Sequence, residues 1–315
     1  MHGPRISVMM NVYNGAAFVR DALDSLRAQT FGDWELVFWD NASSDGTAGI
    51  AAEFDDARMR YFRAEQTIAP AHAREHAIRV ARGEWLAFLD HDDIWLPDKL
   101  ARQLEVAESD REAAIVYGRA VSFSDSGDEH DFDHRREFGL LLEGDLFQRL
   151  VTDSCFIQMS SVMLRRSAVL AVGGIPDWIR VISDYYLYLE LARRFPVRAV
   201  QGVVCRYRKH PGSLTHTAAR AMHSEVLLLL DRWAGSLDPK IVARRRRIHA
   251  TGLAVAELRN PGTRAGGLAR LIRDGSVGFL LTRPLVWAYR SLRRRWREPI
   301  WTKEAARAAP GKPFR

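Results

Sequence analysis

Residues 85–99 read WLAFLDHDDIWLPDK, so an apolar run ends on three acids, Asp90, Asp92 and Asp93. Carboxylates this close repel one another, and burying any of them adds a desolvation cost. Such a group needs positive charge beside it. Other residues able to do chemistry stand at similar places. Asp40 closes the apolar run WELVFWD, and Asn11 and Tyr13 close RISVMMNVY. Asp184 opens the stretch SDYYLYLELARRF, and His210 sits in YRKHPGS. Arg74 lies within APAHAREHAIRV.

The elements that must position these residues alternate in kind. Buried-strand patterns appear in RISVMMNVY, WELVFWD, MRYFRAE and EWLAFLD. Between them AAFVRDALDSLRAQ carries Phe18, Ala22 and Leu26 at helical spacing, and SSDGTAGIAAEF opens on Ser/Asp caps. APAHAREHAIRVARG is a helix stopped by Gly83, and LPDKLARQLEVAE is a helix with Pro97 near its first turn. This βαβαβαβα order predicts an α/β fold with a mostly parallel central sheet and helices on both faces. Ligands of such sheets bind beyond the carboxyl ends of the strands. Asn11, Asp40 and the acids at 90–93 are therefore expected along one crevice.

At this point the chain resembles the family 2 glycosyltransferases, inverting enzymes with the GT-A fold. The likeness is carried by PRISVMMNVYNGAAFVRDALDSLRAQTFGDWELVFWDNASSDGT, then by HAREHAI and ARGEWLAFLDHDDIWLPDKL. It resumes at VMLRRSAVLAVGGIP, SDYYLYLELARR and CRYRKHPGSLT, and so covers roughly residues 4–215. Several separated motifs in the right order are far more specific than any one of them.

The resemblance implies a sugar-nucleotide donor and a divalent cation, Mn²⁺ or Mg²⁺, held by oxygen ligands. The cation would be the positive charge missing from the acid cluster. By similarity Asp92 is the direct metal ligand and Asp90 contacts the ribose or a metal-bound water. Asp93 holds the loop or stands behind the ligands. Asp40 matches the family's base-binding Asp. Asn11 stands where the family commonly has Pro, and Tyr13 follows beside the base. Arg74 matches the Arg of an ARN motif and points to the diphosphate, although Glu75 replaces the Asn. The catalytic base of the family is an acid at a helix start, in an ED pair. Here the pair is Ser183–Asp184, which makes Asp184 the base and Asp177 the reserve. His210 aligns with a His near the diphosphate, which implies a second metal ligand or a donor to a phosphate, with Arg206 and Arg208 as alternative phosphate partners.

Charge divides the chain unevenly. Residues 1–212 hold 25 Lys+Arg against 32 Asp+Glu, and residues 213–315 hold 21 against 7. The expected division is a GT-A catalytic domain over 1–212 and a helical, basic region over 213–315. SEVLLLLDRWAGSL, PKIVARRRRIHATGLAVAEL and AGGLARLIRDGSVGFLL read as helices. RPLVWAYRSLRRRWREPIW, at 283–301, mixes Arg with Trp and Leu and suits an anionic membrane surface. Docking within the protein, including a homo-oligomer, comes next. Nucleic acid is not expected, because no recognition motif accompanies the charge. Two cysteines imply no disulfide framework, and the N-terminus reads as a strand and not as a signal peptide. The expected location is cytoplasmic, peripheral at the inner face of the membrane.

The reading is thus a metal-dependent inverting glycosyltransferase. It would move a sugar to a hydroxyl of a glycan or lipid-linked glycan in bacterial cell-surface polysaccharide synthesis. Two alternatives stand beside it. A nucleotidyltransferase would show a Gly-rich N-terminal loop, which MMNVYNGAAF lacks. A non-catalytic membrane-binding scaffold would have no use for the acids.

Overall fold

The structure, a computed structural model, describes residues 3–124, 129–131, 139–153 and 155–273. The first half follows the alternation in the sequence. β1 (Ile6–Val12), α1 (Val19–Arg27), β2 (Trp34–Asp40), α2 (Thr47–Glu53), β3 (Met59–Arg63), α3 (Pro70–Val80) and β4 (Trp85–Phe88) come in order. β5 (Ile94–Trp95), α4 (Lys99–Ser109), β6 (Ile115–Phe123) and β7 (Glu129–Asp131) follow. Then come α5 (Phe147–Asp153), β8 (Val162–Arg165), α6 (Arg166–Ala171), α7 (Ser183–Ala192) and β9 (Val197–Arg208). The described chain ends in helices: α8 (Leu214–Thr217), α9 (Ala219–Trp233), α10 (Pro239–Arg259) and α11 (Arg264–Arg273).

The strands form one sheet in the order β3-β2-β1-β4-β8-β6-β9-β5, with β7 on β6. β3, β2, β1 and β4 are parallel neighbours. β8 enters antiparallel between β4 and β6, and β6 and β9 pair in parallel. Six strands therefore run one way, which is the mostly parallel sheet expected. Part of the polar stretch after β6 is strand: Glu129–Asp131 pairs with it.

Alternate residues of the central strands feed two apolar layers, as a strand buried on both faces requires. Val8 and Met10 of β1 pack with Leu23 and Leu26 of α1 and Leu100 of α4. Met9, between them, packs in the opposite layer with Ala77 and Ile78 of α3 and Leu187 and Leu191 of α7. α9 joins this second layer through Val226, Leu229, Leu230 and Trp233, which recur at helical spacing on one face. Gly83 ends the α3–β4 link against β1. A Cβ there would lie 2.4 Å from the Ser7 backbone nitrogen, so only glycine fits.

The chain forms two compact units, Met1–His249 and Ala250–Arg315. The first unit thus includes helices beyond residue 212. Among the described residues no helix is long and apolar enough to cross a membrane. Cys155 and Cys205 are not joined by a disulfide. The basic stretch at 283–301 lies outside the described residues.

Candidate active site

The parallel order β2-β1-β4 brings three strand ends side by side. Val12 pairs with Asp40 and Asn11 with Trp39, while Met9 pairs with Phe88 just before the acids. Asp40, Asn11 and Asp90 therefore share one edge of the sheet, as expected from topology. Asp40 is fully buried and accepts from the Ser43 backbone N–H (2.7 Å), the Tyr61 hydroxyl (2.7 Å) and Arg63 (2.6 Å). Burial pushes its carboxyl up, but these donors and the Arg63 charge outweigh that, and it titrates below the usual carboxylate range. Asn11 is half-buried, and Tyr13 is 50% exposed. The loops around them are laced together. Asn14, with φ of 51°, accepts from the Ser44 N–H, and Gly15 N–H donates to Thr47.

The acids after β4 divide by environment. Asp93 is fully buried and takes bonds from Gln158 (2.8 Å), the Ser160 hydroxyl and the Arg208 backbone N–H (3.0 Å). Its carboxyl is held well above the usual range by burial, then by the charges of Asp92 and Asp90. Asp93 is therefore tied into the loop, one of the two roles the resemblance implied for it. Asp92 faces His210, with Nε2 2.9 Å from its carboxylate. Phe18 packs on that imidazole at 4.7 Å between ring centres. Asp90 receives Arg74 at 3.3 Å, and burial raises its carboxyl despite that charge.

Arg74 joins this cluster to the candidate base. One arm of its guanidinium bonds Asp90 and the other bonds the Ser183 hydroxyl. Asp184 is the next residue, in the first turn of α7. Burial raises its carboxyl, while Arg74 and the backbone N–H groups of Tyr185 and Asp184 draw it part of the way back. Asp177, the reserve, is exposed, and its carbonyl accepts from His72 at 2.8 Å. Arg208 is buried and bonds the Asp92 carbonyl (3.0 Å) and Asp21 (2.8 Å). Among the described residues no group of three or more His, Cys, Asp or Glu side chains is arranged to hold a metal ion. Asp92 and His210 stand as a pair.

Several supports escaped the sequence reading. Gln158 and Ser160 hold Asp93 from the turn before β8, and their only signal is polar residues inside the apolar stretch FIQMSSVML. Glu75, the departure from the ARN pattern, has a structural use. Its carboxylate accepts from the Ile175 N–H (2.8 Å) beside Gly174, whose φ is +68°. Glu225, on α9, accepts three backbone N–H groups just ahead of α7. Nothing in its local sequence announces this.

Comparison with known proteins agrees with this arrangement. The family model described as Glycosyl transferase family 2 matches residues 7–173. An uncharacterised glycosyltransferase of Rickettsia typhi is 26% identical over 75% of this chain and 72% of its own. The Escherichia coli protein WfgD, named UDP-Glc:alpha-D-GlcNAc-diphosphoundecaprenol beta-1,3-glucosyltransferase, is 28% identical over 67% of this chain and 79% of its own. Among solved structures, S. aureus TarS 1–349 in complex with UDP-GlcNAc superposes with a TM-score of 0.62 at 16% identity, covering 79% of this chain and 70% of that one. The mannosyltransferase PcManGT from Pyrobaculum calidifontis, in complex with GDP-Man and Mn²⁺, gives 0.58 at 18% identity over 94% and 84%. Both show the GT-A fold.

Proposed function

The chain belongs to glycosyl transferase family 2, and we propose that it is a metal-dependent inverting enzyme acting on a glycan or lipid-linked glycan. The supporting observation is the meeting of two sets of groups through Arg74. Asp90 and the Asp92–His210 pair form one side, and Asp184 forms the other.

Asp92 and His210 fit a hard divalent cation. A carboxylate oxygen and an imidazole nitrogen 2.9 Å apart share a proton that a cation can replace. Burial raises the carboxyls of Asp90 and Asp93, the charge of Asp92 adds to this, and a cation beside Asp92 would offset that repulsion. Two protein ligands suffice where substrate phosphates supply others. When bound, Mn²⁺ or Mg²⁺ supplies charge that neutralises the leaving diphosphate.

The protein's own groups do the rest. Asn11, Tyr13 and Asp40 hold the nucleotide at the ends of β1 and β2. Asp40 already carries three donors, and the exposed Tyr61 and Arg63 share one of its oxygens, so a nucleobase N–H reaches Asp40 most easily by taking the place of one of these two. Arg74 and Asp90 hold the phosphate and ribose end. The acceptor hydroxyl attacks the anomeric carbon on the side opposite the diphosphate. The new C–O bond forms as the bond to the phosphate oxygen breaks, and the nucleoside diphosphate leaves with that electron pair. Asp184 takes the hydroxyl proton. Its raised pKa brings it closer to the operating pH and makes it a stronger base than an ordinary carboxylate.

The bacterial relative that acts on a diphosphoundecaprenol-linked sugar supports a lipid-linked acceptor. So does the basic stretch at 283–301. The test is binding of UDP and GDP with and without Mn²⁺, for the wild type and Asp92→Ala. The wild type should bind one of them more tightly with Mn²⁺, and the variant should lose that gain. Equal binding by the variant, with the same Mn²⁺ dependence, would refute the metal assignment. A screen of UDP-, GDP- and dTDP-sugars then identifies the donor.

A further inference from the structure

The segment between Gly174 and α7 carries Asp177 near its start and runs into Asp184. Helix α7 begins at Ser183, and its N-cap residue, Ile182, offers no side-chain cap. The N–H groups ahead of such a helix need an acceptor when they are shut away from water. Here one carboxylate serves three of them. Glu225 accepts from Arg180 N–H at 3.0 Å, Val181 N–H at 3.1 Å and Ile182 N–H at 3.1 Å. Its side chain comes from α9, which lies beyond the matched family region of 7–173. Glu225 is only 4% exposed, and Val226, Leu229 and Leu230 seat its helix in the same apolar layer as α7.

The same segment is also held from α3. Ala71 N–H donates to the Arg180 carbonyl at 3.0 Å, and Glu75 accepts from Ile175 N–H at 2.8 Å. Both ends of the segment are thus pinned by acids, one on α3 and one on α9. α3 also bears Arg74, which bonds Ser183 beside Asp184. The lateral position of the α7 start is therefore set by Arg74 and its seating by Glu225.

We propose that Glu225 is a positioning residue for sugar transfer, fixing the start of α7 so that Asp184 meets the acceptor hydroxyl. This rests on the reading of Asp184 as the base. It implies that the working catalytic unit extends through α9. Only an anionic carboxylate serves all three N–H groups at once. A glutamine offers one carbonyl oxygen with two acceptor positions and turns an NH₂ toward an N–H.

The experiment uses the full chain with the nucleotide sugar and acceptor that support transfer, comparing wild type, Glu225→Gln and Asp184→Asn. Amide exchange at 180–182 and nucleotide binding with Mn²⁺ are measured alongside turnover. The expected result for Glu225→Gln is faster exchange at 180–182 and a kcat lower by about 10- to 100-fold, the cost of a misplaced catalytic group. Its nucleotide affinity should stay within about twofold, since the donor end of the site is untouched. Glu225→Asp, which keeps the charge, should recover part of the lost kcat. A loss of turnover that merely tracks weaker nucleotide binding would overturn the proposal. So would a wild-type kcat in Glu225→Gln while Asp184→Asn is inactive. An active Asp184→Asn would instead overturn the assignment of the base.

Discussion

The Arg74 guanidinium donates to Asp90 and to the Ser183 hydroxyl at once, so a single side chain ties the acids after β4 to the start of α7. It also lies close enough to Asp184 to pull that carboxyl down against the effect of burial. Arg74→Ala should therefore act in two ways. It frees Ser183, and it removes a positive charge that favours ionised Asp184. Without that charge the Asp184 pKa rises further, so the acid limb of the rate profile should move to higher pH. Turnover at neutral pH should fall by about 10²-fold, as expected of lost orientation. Arg74→Lys should recover little, because an ammonium cannot reproduce the two-armed contact. A pH–rate profile of the three proteins checks this, and an unmoved acid limb in Arg74→Ala would count against it.

Lys99 is a second charged group with a measurable consequence. It is fully buried, bonds Gln103, and lies 4.0 Å from the centre of the Trp95 ring. Burial lowers its pKa from 10.5 to about 7. Above pH 7 the folded chain gives up this proton while the unfolded chain keeps it. The unfolded state then binds more protons, so stability rises with pH. The slope approaches about 1.4 kcal/mol per pH unit, the value for one proton. Urea unfolding of the wild type at several pH values from about 7 to 8.5, below the ordinary thiol range, should show this rise. Lys99→Met should flatten it.

The basic stretch at 283–301 holds Arg290, Arg293, Arg294, Arg295 and Arg297 close together, with Trp287, Trp296 and Trp301. Each charge near an anionic leaflet contributes on the order of 1 kcal/mol, and Trp favours the headgroup boundary. The full chain should co-sediment with liposomes containing anionic lipid at low salt and be released as salt rises. A chain truncated after residue 282 should stay in the supernatant. Equal sedimentation of both would exclude this stretch as the anchor.

Much of the catalytic fold was legible in the sequence because local and tertiary preferences agree there. WELVFWD and β2 coincide, and the acids fall at strand ends because a parallel sheet buries what precedes them. Asp93 was legible only as a residue that holds the loop or stands behind the ligands, because the partners that fix it are distant in sequence. The partners were not legible. Gln158, Ser160, Glu75 and Glu225 act across 65, 67, 100 and 43–45 residues of chain. No periodicity or cap rule encodes a contact at that separation. Asp40 shows the same limit. Its position at the end of β2 was evident, but its bonds to Tyr61 and Arg63 depend on the pairing of β2 with β3. The split of charge between the two ends of the chain gave no sign that Glu225 of α9 accepts from the backbone just ahead of α7.

The most direct test of the account is Asp184→Asn, assayed for donor binding and for transfer in parallel. The variant should bind the nucleotide sugar as the wild type does, because Asp90, Asp92 and His210 are unchanged. Its turnover should fall by about 10²–10⁴-fold, the usual range for a lost general base. Near-normal turnover would contradict the account and pass the role to another acid, with Asp177→Asn the next variant to assay.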